Sequence, residues 1–152
     1  MDIALQEARQ AAEAGEIPVG AVVVANGELI ARAHNRREEQ QSPLAHAEVL
    51  ALDLAAKHLK SWRLENCVLY VTLEPCIMCV GAMLQARVDR LIFGCRDPKA
   101  GAVESLYYLC DDQRLNHQVP VTGGVLEKEC SALLSGFFSE LRRKKQNLEI
   151  TN

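Results

Sequence analysis

Apolar positions near the N-terminus recur with helical spacing at Ile3, Leu5, Ala8, Ala11 and Ala12, predicting an amphipathic helix that Gly15 stops. Val19 to Val24 is an unbroken apolar run, read as a buried strand. Asn26-Gly27 follows, the strongest short hairpin signal, so Glu28 to Ala33 is expected to return antiparallel. A polar loop from His34 to Ser42 leads to an apolar-rich helix from about Ala45 to Leu59. Cys67 to Leu73 is a run of β formers and predicts a central strand. Pro75 suits the first turn of the next helix, where its missing N–H has no helical partner. Gly81 and Ala82 are small enough to let that helix approach a neighbour closely. Arg90 to Gly94 predicts another strand, Val103 to Leu109 a weak helix, and the residues near Val119 a short strand. After Gly123-Gly124, a last helix is expected from about Leu126 to Arg143. The resulting order, α-β-β-α-β-α-β-α-β-α, describes one α/β domain over 1–152 with helices layered on a single sheet.

Composition adds a compartment but no partner. The 152 residues suffice to bury roughly 70% of the unfolded surface. Six cysteines follow an N-terminus, Met1-Asp2-Ile3-Ala4-Leu5-Gln6, that is acidic and helical rather than basic and then apolar. Reduced thiols in a cytoplasmic protein are therefore expected. No apolar run approaches the ~20 residues needed to span a bilayer, so no membrane role is expected. The net charge of −3 does not single out a nucleic-acid binder. Acidic residues crowd the N-terminal stretch at Asp2, Glu7, Glu13, Glu16 and Glu28. The basic run Arg142-Arg143-Lys144-Lys145 reads first as a solvated helix face.

The chemistry concentrates in His46-Ala47-Glu48 and Pro75-Cys76-Ile77-Met78-Cys79. Imidazole and thiolate are ligands that zinc prefers, and three of them leave one tetrahedral position open to water. Such water loses its proton near neutral pH, and a free carboxylate beside it can carry that proton to a substrate. His46, Cys76 and Cys79 are thus candidate ligands, and Glu48 the candidate acid–base. Cys76 and Cys79 share a helix face at a helix start, where the dipole favours thiolate. Geometry sets a condition on the other pair. Residues two apart on a regular helix point about 200° apart, so His46 must lie at the helix start with non-helical dihedrals. Proline at 43 favours that late start by keeping Ser42 out of helical angles. Alternatives stay open: a redox Cys-x-x-Cys pair, or a structural zinc closed by His34, His58 or His117. Cys67, Cys95, Cys110 and Cys130 read as small buried residues.

These two motifs resemble the cytidine deaminase-like zinc superfamily. Within it, the chain resembles the bacterial-type tRNA-specific adenosine deaminases. The likeness runs through Ile17-Pro-Val-Gly-Ala21, His34-Asn-Arg36, Tyr70-Val-Thr-Leu-Glu-Pro-Cys76, Phe93-Gly-Cys-Arg-Asp97 and Lys99 to Cys130-Ser-Ala-Leu-Leu-Ser135. The resemblance implies a three-layer α/β/α fold around a mixed five-stranded sheet. It implies that His46, Cys76 and Cys79 hold one zinc ion per subunit of a homodimer. Activated water would attack C6 of adenine at the first anticodon position of tRNA. Glu48 would carry the water proton to ring N1 and help protonate the departing ammonia. By the same resemblance Asn35 contacts the target nucleotide and Asp97 lies near the ribose-phosphate of the anticodon stem-loop. Ile17, Pro18 and Val19 line the base pocket, and Phe138 stacks on RNA. Two stretches depart from the family pattern: Val103-Glu104 ahead of Ser105, and Gln41-Ser42-Pro43-Leu44 ahead of the histidine motif. The motifs themselves do not choose among adenine, guanine and cytosine, so a deaminase of a free base or nucleoside is the alternative.

Overall fold

A computed structural model describes residues 1–150. Five strands form one mixed sheet in the order β2-β1-β3-β4-β5. In chain order, α1 is Asp2–Glu13, β1 Gly20–Ala25, β2 Glu28–His34, α2 the single turn Arg37–Gln40, and α3 Ala47–Leu59. They are followed by β3 Cys67–Leu73, α4 Ile77–Ala86, β4 Arg90–Cys95, β5 Val121–Thr122 and α5 Glu127–Ile150. Strand β1 runs antiparallel to both β2 and β3, whereas β3–β4 and β4–β5 are parallel.

The hairpin is the one Asn26-Gly27 predicts. Both residues have positive φ, 50° and 81°, as a type I′ turn requires. Helices α3 and α4 pack together on one face of the sheet, over a core that includes Ala51, Leu52, Leu69, Val80, Met83 and Phe93. On the other face α1 and α5 enclose a smaller cluster of Leu5, Cys95 and Cys130. The molecule is thus layered α/β/α, with a sheet buried on both sides. Gly20 permits the closest helix–sheet approach. A methyl group there would strike the Ala4 carbonyl oxygen and come within 2.5 Å of the Ala8 nitrogen.

Several sequence expectations need correction. Residues 103–109 are not helical; turns give way to a short 3₁₀ segment at Leu109–Asp111. The reason is a distant partner: the N–H groups of Val103, Glu104 and Ser105 all donate to the Glu74 carboxylate, 29 to 31 residues upstream, which draws the segment into turns around it. Gly81 meets nothing within 4 Å of where a Cβ would lie, so its small size serves no helix contact. Pro75 precedes the N-cap of α4 instead of occupying its first turn. The strand expected near Val119 is a two-residue pairing at Val121–Thr122, and α5 runs past Arg143.

Two members of the N-terminal acidic stretch are buried and paired. Glu7 is buried and takes hydrogen bonds from Arg32 and, at 2.8 Å, shares one with His34 Nδ1. Glu16 is buried too, accepting the N–H groups of Glu38 (3.2 Å) and Glu39 (2.8 Å) at the start of α2. The run from Arg142 to Lys145 is exposed along α5. Among the described residues, no helix is long and apolar enough to cross a membrane.

Candidate active site

Two helix starts meet at one end of the sheet, past the end of β3 and ahead of the start of β1. His46 is the N-cap of α3, with φ −75° and ψ 147°, and its carbonyl accepts the Leu50 N–H at 3.0 Å. Cys76 is the N-cap of α4, with φ −77° and ψ 175°, and its carbonyl accepts the Val80 N–H at 2.9 Å. The extended dihedrals of His46 meet the condition set by spacing, since they free its side chain from the helical rotation that separates residues two apart. Glu48, one residue inside α3, is 4% exposed.

His46 Nδ1 lies 3.6 Å from Cys76 Sγ and 3.4 Å from Cys79 Sγ. The three ligand atoms all fall within 4.8 Å of one another and form the one such group of three or more His, Cys, Asp or Glu found among the described residues. Zinc bonded at about 2.1 Å to nitrogen and about 2.3 Å to sulfur, with tetrahedral angles, sets N and S roughly 3.6 Å apart. The donor set and its spacing therefore fit a zinc ion with one position left for water. The other histidines have different tasks or none here. His34 pairs with Glu7, and His117 Nε2 bonds the Val88 carbonyl at 2.8 Å. His58 is exposed. The other four cysteines are buried and free.

The titration of the cluster follows from crowding. Burial pushes the Glu48 carboxyl up to about 7, against the pull of its own backbone N–H and of the His46 charge. The neighbouring Cys79 thiol pulls the Glu48 carboxyl down as well. The Cys79 thiol also stabilises Cys76 as thiolate, which, with His46, brings Cys76 down to about 3 despite partial burial. Cys79 is raised in return, first by that same hydrogen bond and then by burial. His46 is raised, chiefly by its hydrogen bond to Cys76. Such coupled groups titrate as a unit.

A cavity of about 180 Å³ opens beside these groups. That is below the roughly 300–1,000 Å³ of sites enclosing whole drug-sized ligands, so it suits a single base with the rest of a nucleotide outside. Ile17, Val19, Asn35, His46, Glu48, Cys76 and Asp97 line it. Pro18 does not. The chain turns tightly, with the Val19 N–H donating to the Ile17 carbonyl at 2.8 Å, and Pro18 is buried outside the lining. Phe138 is 38% exposed on α5, edge-on to Phe137 at a centroid distance of 5.5 Å, and also lies outside the cavity lining.

The Asn35 side chain donates to the Ile17 carbonyl at 3.2 Å and accepts the Arg37 N–H at 3.3 Å. It closes a turn, yet its amide keeps a second hydrogen and a second lone pair for a ligand. Asp97 Oδ1 accepts the N–H groups of Lys99 (3.0 Å) and Ala100 (3.2 Å), which folds the loop back onto the cavity. Five further residues complete the lining, Arg37, Ala47, Leu73, Glu74 and Ala100, and none of them is a site candidate from sequence. Arg37 sits in a polar loop with no periodicity to mark it. Glu74 looks like an ordinary strand end but is 2% exposed.

Comparison with known proteins agrees with this geometry. The MafB19-like deaminase family matches residues 1–142. The tRNA-specific adenosine deaminase of Bacillus subtilis (strain 168) is 55% identical over 146 residues, 96% of this chain and 91% of that protein. The protein of that same name from Haemophilus influenzae is 48% identical over 147 residues, 96% of this chain and 85% of its own length. A solved structure from studies of A-to-I editing by tRNA:A34 deaminases superimposes with a TM-score of 0.85 at 44% identity, over 88% of this chain and 97% of that one. Guanine deaminase from Nitrosomonas europaea matches with a TM-score of 0.78 at 27% identity, over 90% of this chain and 81% of that one. The cytidine deaminase-like fold is common to them. With a preformed His/Cys cluster, a buried carboxylate beside it and likeness along nearly its full length, the chain belongs to the MafB19-like deaminases and, among them, to the tRNA-specific adenosine deaminases.

Proposed function

We propose that this chain hydrolyses adenosine to inosine at the first anticodon position of tRNA, using one zinc ion held by His46, Cys76 and Cys79. The observation that carries the chemistry is the buried Glu48 carboxyl, which lines a base-sized cavity beside the three-ligand cluster. Held by His46, Cys76 and Cys79, a zinc ion would bring the pKa of a water molecule near neutrality and so supply the nucleophile. Glu48 is buried in the cavity lining beside the three ligands, where a carboxylate can serve as the proton carrier. It takes a proton from the attacking water and delivers it to N1 of adenine as the C6–O bond forms. It then carries the second proton to the amino group, the C6–N bond breaks, and ammonia leaves. Water and adenosine are thereby converted to inosine and ammonia, with no other reactant.

Asn35 reads the base or ribose with its spare amide valences, and Ile17 and Val19 enclose the ring. A flipped base in an unpaired anticodon loop reaches such a cavity at little unstacking cost. Arg37 bears on the choice between RNA and a free base. It is exposed at the cavity, and its guanidinium makes no hydrogen bond or ion pair among the described residues. A cation so placed suits a flanking phosphate and has no task with a neutral base. The working unit is a cytoplasmic homodimer, and the exposed Ile77 (54%), Leu106 (51%) and Tyr107 (50%) supply apolar surface for a second copy. The residues 1–152 act as one deaminase domain.

Competition decides the substrate. Zinc-loaded protein is given an anticodon stem-loop with adenosine first in the anticodon, then free adenosine, guanine and cytosine, and released ammonia is measured. Turnover confined to the stem-loop and weakened by salt supports the RNA reading. Salt-independent turnover of guanine or cytosine would replace it with the free-base reading.

A further inference from the structure

Glu74 leaves the end of β3 just ahead of the cluster residue Cys76, yet its carboxylate turns away to a distant loop. Its Oε1 accepts three backbone N–H groups, from Val103 at 3.2 Å, Glu104 at 2.7 Å and Ser105 at 2.9 Å. Its Oε2 accepts the Asp97 N–H at 2.9 Å and the Ser105 hydroxyl. Both oxygens are used only as acceptors, and the compensation for burying the charge comes from these dipoles. Two further bonds tie the same loop to the start of α4. Gly101 bridges to Cys76, and the Ala102 N–H donates to the Pro75 carbonyl at 2.9 Å. The loop so fixed supplies Asp97 and Ala100 to the cavity wall.

We propose that Glu74 is a positioning residue for substrate: its buried carboxylate holds residues 97–105 as the wall against which the target nucleotide rests, and it acts on that nucleotide through Asp97. The inference rests on the RNA-deaminase reading above. Glutamine cannot replace this group, because either amide orientation turns an N–H toward donors that need an acceptor. The loop then relaxes while the metal ligands on α3 and α4 stay in place. Such a wall is felt before and during reaction alike, so its loss raises KM more than it lowers kcat.

The test is a double-mutant cycle on the zinc-loaded full chain, with the anticodon stem-loop as substrate. Glu74→Gln is expected to raise KM on the order of 10- to 100-fold, as for hydrogen bonds lost from a charged group, with zinc content and kcat near wild type. In an Asp97→Ala background the same change should shift KM by less than about 3-fold, since coupled residues are not additive. Gly101→Ala is the second route. Its methyl group would strike the Glu74 carboxylate and lie 2.6 Å from the Asp97 carbonyl oxygen, displacing the carboxylate without removing its charge, so KM should rise likewise. If Glu74→Gln does not accumulate as folded protein, Gly101→Ala decides. Wild-type KM in the folded variants, a full effect persisting in the Asp97→Ala background, or a loss that tracks zinc content would overturn the proposal. A wild-type protein that makes no inosine from the stem-loop refutes the substrate reading itself.

Discussion

Removing zinc should lower the melting temperature by a predictable amount, because the ligand set is built into two helix starts. His46 and Cys76 are both N-caps, with backbone angles fixed by the first turns of α3 and α4. The His46 Nδ1 to Sγ distances of 3.4 and 3.6 Å already match the spacing of roughly 3.6 Å required by a tetrahedral ion. Little reorganisation is needed, so binding favours the folded state almost exclusively. At free zinc 1,000 times the dissociation constant the gain is about 4.1 kcal/mol. For a domain of this size, each kcal/mol moves the midpoint by about 2–4 °C, giving roughly 8–16 °C. The assay is differential scanning fluorimetry on chelator-stripped protein with and without added zinc, under reducing conditions. His46→Ala should lose most of the shift, whereas Glu48→Gln, which changes no ligand, should retain it. No shift in the wild type, or an equal one in His46→Ala, would refute the ligand assignment.

Three other outcomes follow from separate features. Arg37→Ala should weaken stem-loop binding and reduce the slope of log affinity against log salt by about 1, the mark of one lost phosphate contact; fluorescence anisotropy across a salt series checks it. Gly20→Ala should destabilise the fold by about 1–3 kcal/mol through overpacking against α1, seen as a lower urea midpoint with an unchanged m-value. The third outcome concerns acid. Burial raises the Glu7 pKa, but hydrogen bonds from His34 and Arg32 more than offset it, leaving it below 4.5. A depressed carboxylate stabilises the fold above its unfolded pKa, and that contribution is lost as pH falls through the folded value. Urea midpoints should therefore decline on acidification below about pH 4.5, and the decline should be shallower in Glu7→Gln.

What the sequence made legible was whatever depends on neighbours along the chain. Asn26-Gly27 named its own turn type, and the proline at 43 delayed α3 enough to make His46 an N-cap. Alternating and continuous apolar runs marked β1 to β4 because a sheet buried on both faces leaves that trace. The grouping of His46, Cys76 and Cys79 was legible because each half carries its spacing within a few residues. What stayed hidden depends on partners far away in sequence. The donors to Glu74 lie 23 to 31 residues downstream, so nothing local distinguishes it from a solvated strand end. The same donors turned the helix expected at 103–109 into turns. The burial of Glu7 and Glu16 left no local trace because their partners, Arg32, His34 and the start of α2, come from another hairpin arm and loop. Arg37 reaches the cavity from a turn in which Asn35, two residues back, accepts its backbone N–H.

The most direct test of the account is nucleoside analysis of an anticodon stem-loop, with adenosine first in the anticodon, after incubation with zinc-matched wild-type and Glu48→Ala proteins. The wild type should form inosine at that position, and Glu48→Ala with equal zinc content should be slower by at least about 10²–10⁴-fold. Inosine formed equally by both proteins, or none from folded, zinc-loaded wild type, would contradict it.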